Sequence, residues 1–266
     1  MRFHRTSAIV LRQLYLLRGS PARVLPLFAW VAIDMVLWGF ITRYLNSVAT
    51  GFNFVPAFLG AVLLWDFFIR VMQGITTAFF EDVWSRNFLN FFATPLEISE
   101  YVSGLVLSSI ATSVVGLAVM ILLATTVFGL SFFAYGALAL PFLCVLFLFG
   151  IALGVCATAI VLRLGPAAEW FIWPIPALIS PFAGVFYPLS TLPAWMQAVS
   201  RLLPPSYVFE SLRAILAGHP VSPAALAVSG GLAILDVVLA GWLFRRVYRH
   251  AVRTGLIARY SAETLS

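Results

Sequence analysis

The chain contains no lysine, because all 16 of its basic residues are arginines. A Walker A phosphate loop needs a lysine on the nucleotide phosphates, and Schiff-base chemistry needs a lysine amine. Both are therefore excluded, and we expect no cofactor in this chain. The HExxH and GxSxG motifs are also missing, as is a pair of acidic residues on one intramembrane helix, which argues against an embedded enzyme.

Cysteine and histidine are almost as scarce. Cys144 and Cys156 lie on one predicted helix, about 18 Å apart at 1.5 Å per residue, so they cannot form a disulfide with each other. No Cys or His cluster offers a set of metal ligands. His4, His219 and His250 fall at predicted ends or loops and are interpreted as surface histidines.

Charge is also low. Only 10% of the residues are charged and 62% are hydrophobic, and the mean hydropathy is +1.01. A soluble domain of this length does not need so much apolar surface. Helices satisfy every backbone hydrogen bond inside a bilayer, and the alternation typical of porin strands is missing. The sequence therefore predicts an all-α membrane protein.

Six apolar segments are each long enough to cross a bilayer core of about 30 Å. We interpret residues 1–266 as one transmembrane domain with short connections. The predicted spans are 24–45, 54–80, 101–128, 134–162, 170–189 and 223–247.

Arginine is concentrated at the two ends of the chain, and cytoplasmic flanks of membrane spans are usually the basic ones. Both termini are therefore predicted to be cytoplasmic, in a bacterial inner membrane. On this interpretation the charge serves membrane orientation, and nucleic acid is not expected as a partner. The arginines in question are Arg2, Arg5, Arg12, Arg18 and Arg23 before the first span, and Arg245, Arg246, Arg249, Arg253 and Arg259 at or after the end of the last.

Residues 1–23 alternate arginine with apolar side chains and lack a cleavage site. The pattern indicates a helix lying in the cytoplasmic membrane interface. A disordered basic tail is the alternative.

Four charged residues lie well inside predicted spans, away from the span ends, where charges are costly and usually face protein or a cavity. Asp66 and Arg70 are four positions apart, so their side chains meet on one helix face. They are either a structural pair or part of a transport path. Asp34 and Asp236 have no local partner, and Asp34 could pair with an arginine on another span.

Gly150 and Gly154 form a GxxxG pattern in the predicted fourth span, and small residues recur along one side of the third. Both patterns predict close helix packing. The contact could lie between two subunits or within one.

Seven prolines interrupt the stretch 170–218. Between 190 and 222 the sequence is amphipathic and aromatic, which predicts short re-entrant helices before the last span. We expect Trp195, Tyr207, Glu210 and Arg213 to mark this region. The alternative is a loop lying flat on the outer surface.

The segment 81–100 is a polar stretch between two predicted spans. Glu81, Asp82 and Arg86 are charges at the cytoplasmic end of a span, and Trp84 and Phe88 are apolar anchors of the kind that dominates small interfaces. We interpret the segment as a docking surface. The alternative is that these residues only cap the membrane helix.

The whole arrangement resembles the permease subunits of type 2 ABC exporters, over nearly the full chain. The resemblance is carried by the interfacial segment, the six spans and three short sequences: Ala93-Thr94-Pro95-Leu96, Phe186-Tyr187-Pro188-Leu189, and Pro205-Ser206-Tyr207 with Glu210-Ser211-Leu212-Arg213.

The resemblance implies a homodimeric permease in membrane lipid. It would pair with two copies of a cytoplasmic ABC ATPase that bind ATP and magnesium, and it would export an amphipathic, lipid-linked or drug-like substrate. Many members have a Glu-Arg-Glu-Gly-Thr-like run in the coupling helix, where this chain has Glu-Asp-Val-Trp-Ser-Arg-Asn. The resemblance also implies a contact face for the ATPase, with Phe88 as a further anchor. This face comprises Glu81, Asp82, Trp84, Ser85, Arg86 and Asn87.

A stand-alone secondary transporter or channel is the alternative function. Such proteins are often built from two repeated halves with matching broken helices. We find no convincing internal repeat, which favours the ABC permease.

Overall fold

A computed structural model describes residues 3–48, 55–85, 90–91, 94–137 and 139–256. Within these residues every extended regular element is a helix, so the all-α prediction is confirmed. A π-helical turn, Val55–Leu59, leads directly into the third helix. The helices are α1 Phe3–Arg18, α2 Pro21–Val48, α3 Gly60–Trp84, α4 Ile98–Phe128, α5 Ala139–Leu164, α6 Glu169–Ile172, α7 Ile175–Ala183, α8 Ala194–Ser200, α9 Pro204–Leu216 and α10 Pro223–Arg253.

Four helical stretches in the described part of the chain are long and apolar enough to cross a membrane. They are α3 with its preceding π-helical turn, α4, α5 and α10. The predicted first span, 24–45, lies within the 28-residue helix α2. The chain is thus a multi-pass membrane protein, and the count of six spans stays a prediction.

The predicted fifth span, 170–189, is not one continuous helix. It forms α6 and α7, separated at Trp173 and Pro174, and α7 ends at Gly184 with a φ of 62°. Prolines break the helix because each lacks a backbone N–H and restricts the residue before it.

Aromatic rings near the two ends of the broken segment contact opposite ends of the α3 region. Near its start, Trp173 lies 6.4 Å from Phe80, measured between ring centroids. Beyond its end, Phe186 lies 5.2 Å from Phe58, just before α3 begins. A fifth crossing by this segment stays a prediction.

The centre of the bundle is formed by α5 packed against α3 and α10, while α4 packs on the other side of α3. The rings of Phe68 on α3 and Phe149 on α5 stack with centroids 5.4 Å apart. Most of the large side chains in this contact are buried.

The two glycines of the GxxxG pattern lie in this contact. A Cβ at Gly150 would stand 2.9 Å from the Cβ of Val71, and one at Gly154 would stand 3.0 Å from the carbonyl oxygen of Met72. Glycine therefore allows α5 and α3 to approach at backbone distance. The structure assigns the pattern to packing within one chain.

The bundle has two ends, which we name by their residues. The coupling end contains α1, the start of α2, the end of α3 and the start of α4. The far end contains the π-helical turn, the end of α4, and α8 with α9.

The amino-terminal segment is helical from Phe3 to Arg18, so the disordered-tail alternative does not hold. This helix packs on α4 with Thr6, Ile9 and Gln13 buried. The opposite side exposes Phe3, Leu11, Leu14 and Tyr15. An exposed apolar face on a helix at the bundle end is typical of an interfacial helix.

Candidate coupling site

Three arginines and three acidic residues meet at the coupling end. The arginines are Arg5 and Arg12 from α1 and Arg23 from the start of α2. They pair with Glu100, Asp82 and Glu81, respectively. The helices α1, α2, α3 and α4 are thereby joined by charge at one end of the bundle.

Asp82 is the most buried member, with a side chain that has no exposed area. Its Oδ1 lies 2.6 Å from Nη2 of Arg12, and its Oδ2 accepts a hydrogen bond of 2.7 Å from the hydroxyl of Tyr101. Arg12 also lies over the ring of Phe91, 5.1 Å from its centroid. Burial of a charge is tolerated only when it is paired and hydrogen-bonded, and this carboxylate is both.

The ion pairs of Glu81 and Glu100 are longer than that of Asp82, and Glu81 is also more exposed than Asp82. Glu81 lies 3.6 Å from Nε of Arg23, and both side chains are partly exposed. Glu100 lies 3.5 Å from Arg5, whose guanidinium also donates to the carbonyl oxygen of Pro95. Arg5 therefore fastens α1 to the polar loop and to the first turn of α4.

The start of α4 is fixed by its own sequence. The carboxylate of Glu100 accepts a hydrogen bond of 3.1 Å from the N–H of Glu97, which closes a capping box. Two orphan donors of the first turn are satisfied in this way. Thr94, in the Thr-Pro-Leu sequence before the helix, bonds back to the carbonyl oxygen of Phe91 at 2.7 Å.

The predicted contact residues of this segment differ in accessibility. The carboxylate of Asp82 faces inward, so its observed role is to hold α3 against α1 and α4. Trp84 is 54% exposed and Ser85 is exposed, so both are available for contact. Arg86, Asn87 and Phe88 lie outside the described residues, and the coupling role of the whole set stays a prediction.

The arginine partners were not identified from the sequence. Arg5 and Arg12 are seven positions apart, which places them on one face of a helix. A basic face beside a segment with acidic residues was the signal available. Their spacing alone does not say which acid each arginine reaches.

The predicted intramembrane charges fall into two groups. Asp34, Asp66 and Arg70 interact electrostatically where α2 and α3 meet α4. A Cβ at Gly116 of α4 would stand 2.6 Å from Cδ and Nε of Arg70, so glycine leaves space for the arginine. Asp236 lies apart, on α10 near Cys156.

At the far end, Glu210 and Arg213 fasten α9 to the segment that follows α7. The N–H of Leu189 donates to Oε1 of Glu210 at 2.6 Å, and the same oxygen lies 3.0 Å from Arg213. Arg213 also donates to the carbonyl oxygen of Val185 at 3.5 Å. The two predicted residues act together, as a clamp on residues 185–189.

The other two predicted residues of this region have different surroundings. Tyr207 donates to the carbonyl oxygen of Arg201 at 2.9 Å, which closes the turn between α8 and α9. Trp195 is 64% exposed and lies 6.2 Å from Phe182, between ring centroids. Phe209 of α9 reaches Trp65 of α3, with ring centroids 6.1 Å apart. Two short helices are thus present, and their re-entrant depth stays a prediction.

Replacing Glu210 with alanine is expected to release residues 185–189, because the Leu189 amide and Arg213 lose their shared acceptor. The free energy of unfolding should fall by about 1–2 kcal/mol, a modest loss because the carboxylate is partly exposed. Hydrogen exchange of the Leu189 amide measures the release. Glutamine keeps an acceptor at this position, so Glu210→Gln should protect that amide more than Glu210→Ala does. Equal exchange in the two variants would contradict the clamp.

The ABC-2 type transporter family model matches residues 8–217. The chain belongs to the ABC-2 type transporter family. A comparison with curated proteins gave no match. The family is the permease of type 2 ABC transporters, which confirms the resemblance drawn from the sequence.

The matched residues begin within α1 and end just after α9. They include the Arg12–Asp82 and Arg23–Glu81 ion pairs of the coupling end and the clamp of the far end, whereas Arg5 precedes the match. The last helix, α10, follows the matched part. Apart from Arg5, the residues of both sets of polar contacts therefore lie within the matched permease domain.

Proposed function

We propose that this chain is the membrane subunit of an ATP-driven exporter that works with a separate cytoplasmic ATPase. The family match over residues 8–217 is the observation that carries the proposal. The lack of lysine supports a separate ATPase, since this chain cannot form a Walker A loop. Two permease chains and two ATPase copies would make the complete transporter.

The coupling segment would contact the ATPase through side chains that point away from the bundle. Trp84 has the required exposure, and its ring stacks on buried Phe80 at 5.7 Å between centroids. Phe80 contacts Trp173 at the start of the broken fifth segment. A push on Trp84 would thus reach both α3 and this segment.

The buried ion pairs would make the coupling end move as a unit. Asp82 joins α3 to α1 through Arg12 and to α4 through Tyr101. A displacement of the 81–100 segment would therefore carry the ends of three helices with it. Moving these ends on ATP binding would open or narrow a path between two permease chains.

The exposed apolar face of α2 is a candidate for the contact between two such chains. Its large side chains Trp30, Ile33, Leu37, Phe40 and Tyr44 are all exposed in the single chain. In a homodimer they would cover each other or line the path. An apolar face of this kind is compatible with an amphipathic, lipid-linked or drug-like cargo.

The orientation proposed is the one that the arginine distribution predicts. The coupling end would lie in the cytoplasm with both termini, in a bacterial inner membrane. The far end, with α8 and α9, would then face outward. Export as the direction of transport rests on the family resemblance alone.

Replacing Trp84 with alanine tests the proposal. We expect binding of the partner ATPase to fall about 30-fold, because an exposed aromatic anchor typically contributes about 2 kcal/mol to a small interface. The measurement is the stoichiometry of a Walker A-containing protein purified with the tagged permease, together with its ATPase activity. The matched control is Trp195→Ala, an exposed tryptophan at the far end.

Loss of the ATPase in both variants, or in neither, would contradict the assignment of Trp84. A purified chain that transports with no ATPase, under conditions that preserve other complexes, would favour the secondary transporter.

A further inference from the structure

One face of α10 changes from apolar to basic along its length. The exposed large apolar residues of this helix lie on one side, and Trp242 is the last of them before the arginines begin. At 3.6 residues per turn, the following arginines fall within an arc of about 100° on the same side. The exposed large apolar residues before the arginines are Val228, Ile234, Leu235, Val238, Leu239 and Trp242, the arginines are Arg245, Arg246, Arg249 and Arg253, and exposed Val252 lies among the arginines.

The arginines of this face are exposed and have no acidic partner in the described part of the chain. Arg246 lies over the indole ring of Trp242, 5.3 Å from its centroid. Arg249 donates to the carbonyl oxygen of Arg245 at 3.4 Å. Exposed His250 adds a further nitrogen beside them. Most of the N–H donors on this face are thus available for an external acceptor.

The length of α10 places the arginines at the membrane surface. The helix has 31 residues, or about 46 Å, against a hydrocarbon core of about 30 Å. At least one end of the helix must therefore extend among the lipid headgroups, and the cost of burying charges in lipid places the arginine-bearing last turns there. Tryptophan is enriched at this boundary, and Trp242 lies one turn before the arginines begin.

We propose that Trp242, Arg245, Arg246, Arg249 and Arg253 form a binding site for the headgroup of an anionic phospholipid. The phosphate would accept hydrogen bonds from the guanidinium groups, and an acyl chain would lie along the apolar side of α10. The site requires only that α10 spans the membrane, so it is independent of the coupling to an ATPase.

The orientation of the arginines favours lipid over a protein partner. They continue the apolar side of α10, which faces away from α5 and α9. Orientation of the helix by positive charge would not require all four to lie on that side. An ATPase below the bundle would instead meet the polar segment and helix ends at the coupling end.

The test measures lipids retained by the purified permease. Protein taken from nanodiscs of equal phosphatidylglycerol and phosphatidylcholine is analysed by native mass spectrometry. We expect the wild-type chain to retain phosphatidylglycerol preferentially. Replacing Arg245 and Arg249 with glutamine should weaken retention by on the order of 25-fold, at about fivefold for each arginine.

The matched control removes the same charge from the far end. Arg43 and Arg201 are both exposed there, so Arg43→Gln with Arg201→Gln should keep wild-type retention. Equal losses in the two double variants would overturn the site, as would equal retention of the two lipids by the wild-type chain.

Two further measurements complete the test, the first of them on the wild-type protein alone. In the first, inorganic phosphate is added to the wild-type protein. Displacement of phosphatidylglycerol by millimolar phosphate would show an anion site without lipid specificity. That result would overturn the proposal. Brominated phosphatidylglycerol should quench the tryptophan fluorescence of the wild-type protein more than that of the Trp242→Phe variant. Equal quenching would also overturn the proposal.

Discussion

Replacing Asp82 with alanine is expected to lower the free energy of unfolding by about 3 kcal/mol, because it leaves Arg12 without its buried partner. This loss lies at the low end of the range usual for breaking a buried ion pair, since the Arg12 side chain is 27% exposed and retains some hydration. The hydroxyl of Tyr101 would lose its acceptor as well. The measurement is the unfolding midpoint of the purified permease in detergent.

The adjacent acidic residue provides a matched control. Glu81 lies 3.6 Å from Arg23, and both side chains are partly exposed. Ion pairs of this kind contribute less than about 1 kcal/mol, so Glu81→Gln should change the midpoint little. Similar shifts for the two variants would contradict the special role of Asp82.

A double variant separates the charge from the shape of the site. Asp82→Asn leaves an unpaired guanidinium, and adding Arg12→Gln replaces it with a neutral amide of similar reach. Because removing both charges is often nearly neutral, the double variant should be more stable than Asp82→Asn alone. A double variant that is less stable than the single one would show that the charges themselves stabilise the contact.

Replacing Gly150 and Gly154 with valine is expected to separate α5 from α3, at a cost of about 1–3 kcal/mol for each site. The added side chains would meet Val71 and the backbone of Met72, which cannot move aside without shifting α3. The measurement is again the unfolding midpoint in detergent, combined with the mass of the purified particle.

A second glycine on a neighbouring helix is the control. Nothing lies within 4 Å of a Cβ added at Gly241 of α10, so Gly241→Ala should leave stability unchanged or raise it slightly. If the valine variants halve the particle mass but keep the unfolding midpoint, the glycines lie in a contact between two chains. The assignment to the α3–α5 contact is then wrong.

The two glycines show where sequence reasoning stopped. A GxxxG pattern in an apolar helix predicts a close contact, but it does not identify the second helix. The contact with Val71 and Met72 depends on how α3 lies against α5, which is set by the packing of many residues. The pattern therefore determined the kind of contact, and the structure determined which helices make it.

The coupling site shows the same limit for charges. Glu81 and Asp82 are neighbours in sequence, and both were predicted for the contact face. In the structure one carboxylate is fully buried and the other partly exposed, since adjacent residues on a helix point in directions about 100° apart. Which of them faces α1 depends on the rotation of α3, which is a tertiary property.

The sequence alone determined the class of this protein. Its apolar composition and long apolar segments require helices in a bilayer, because lipid offers no hydrogen bonds to an open backbone. The absence of lysine excluded a phosphate loop in this chain, and the short motifs together led to the ABC-2 type permeases.

Tertiary structure alone decided how the polar groups are used. It joined Arg12 to Asp82 and Tyr101, fastened Glu210 to the Leu189 amide, and divided the fifth apolar segment at Trp173 and Pro174. The physical reason is that hydropathy is a sum over residues and can be read along a chain. The partner of a charge depends on the relative position and rotation of helices, which only their mutual packing fixes.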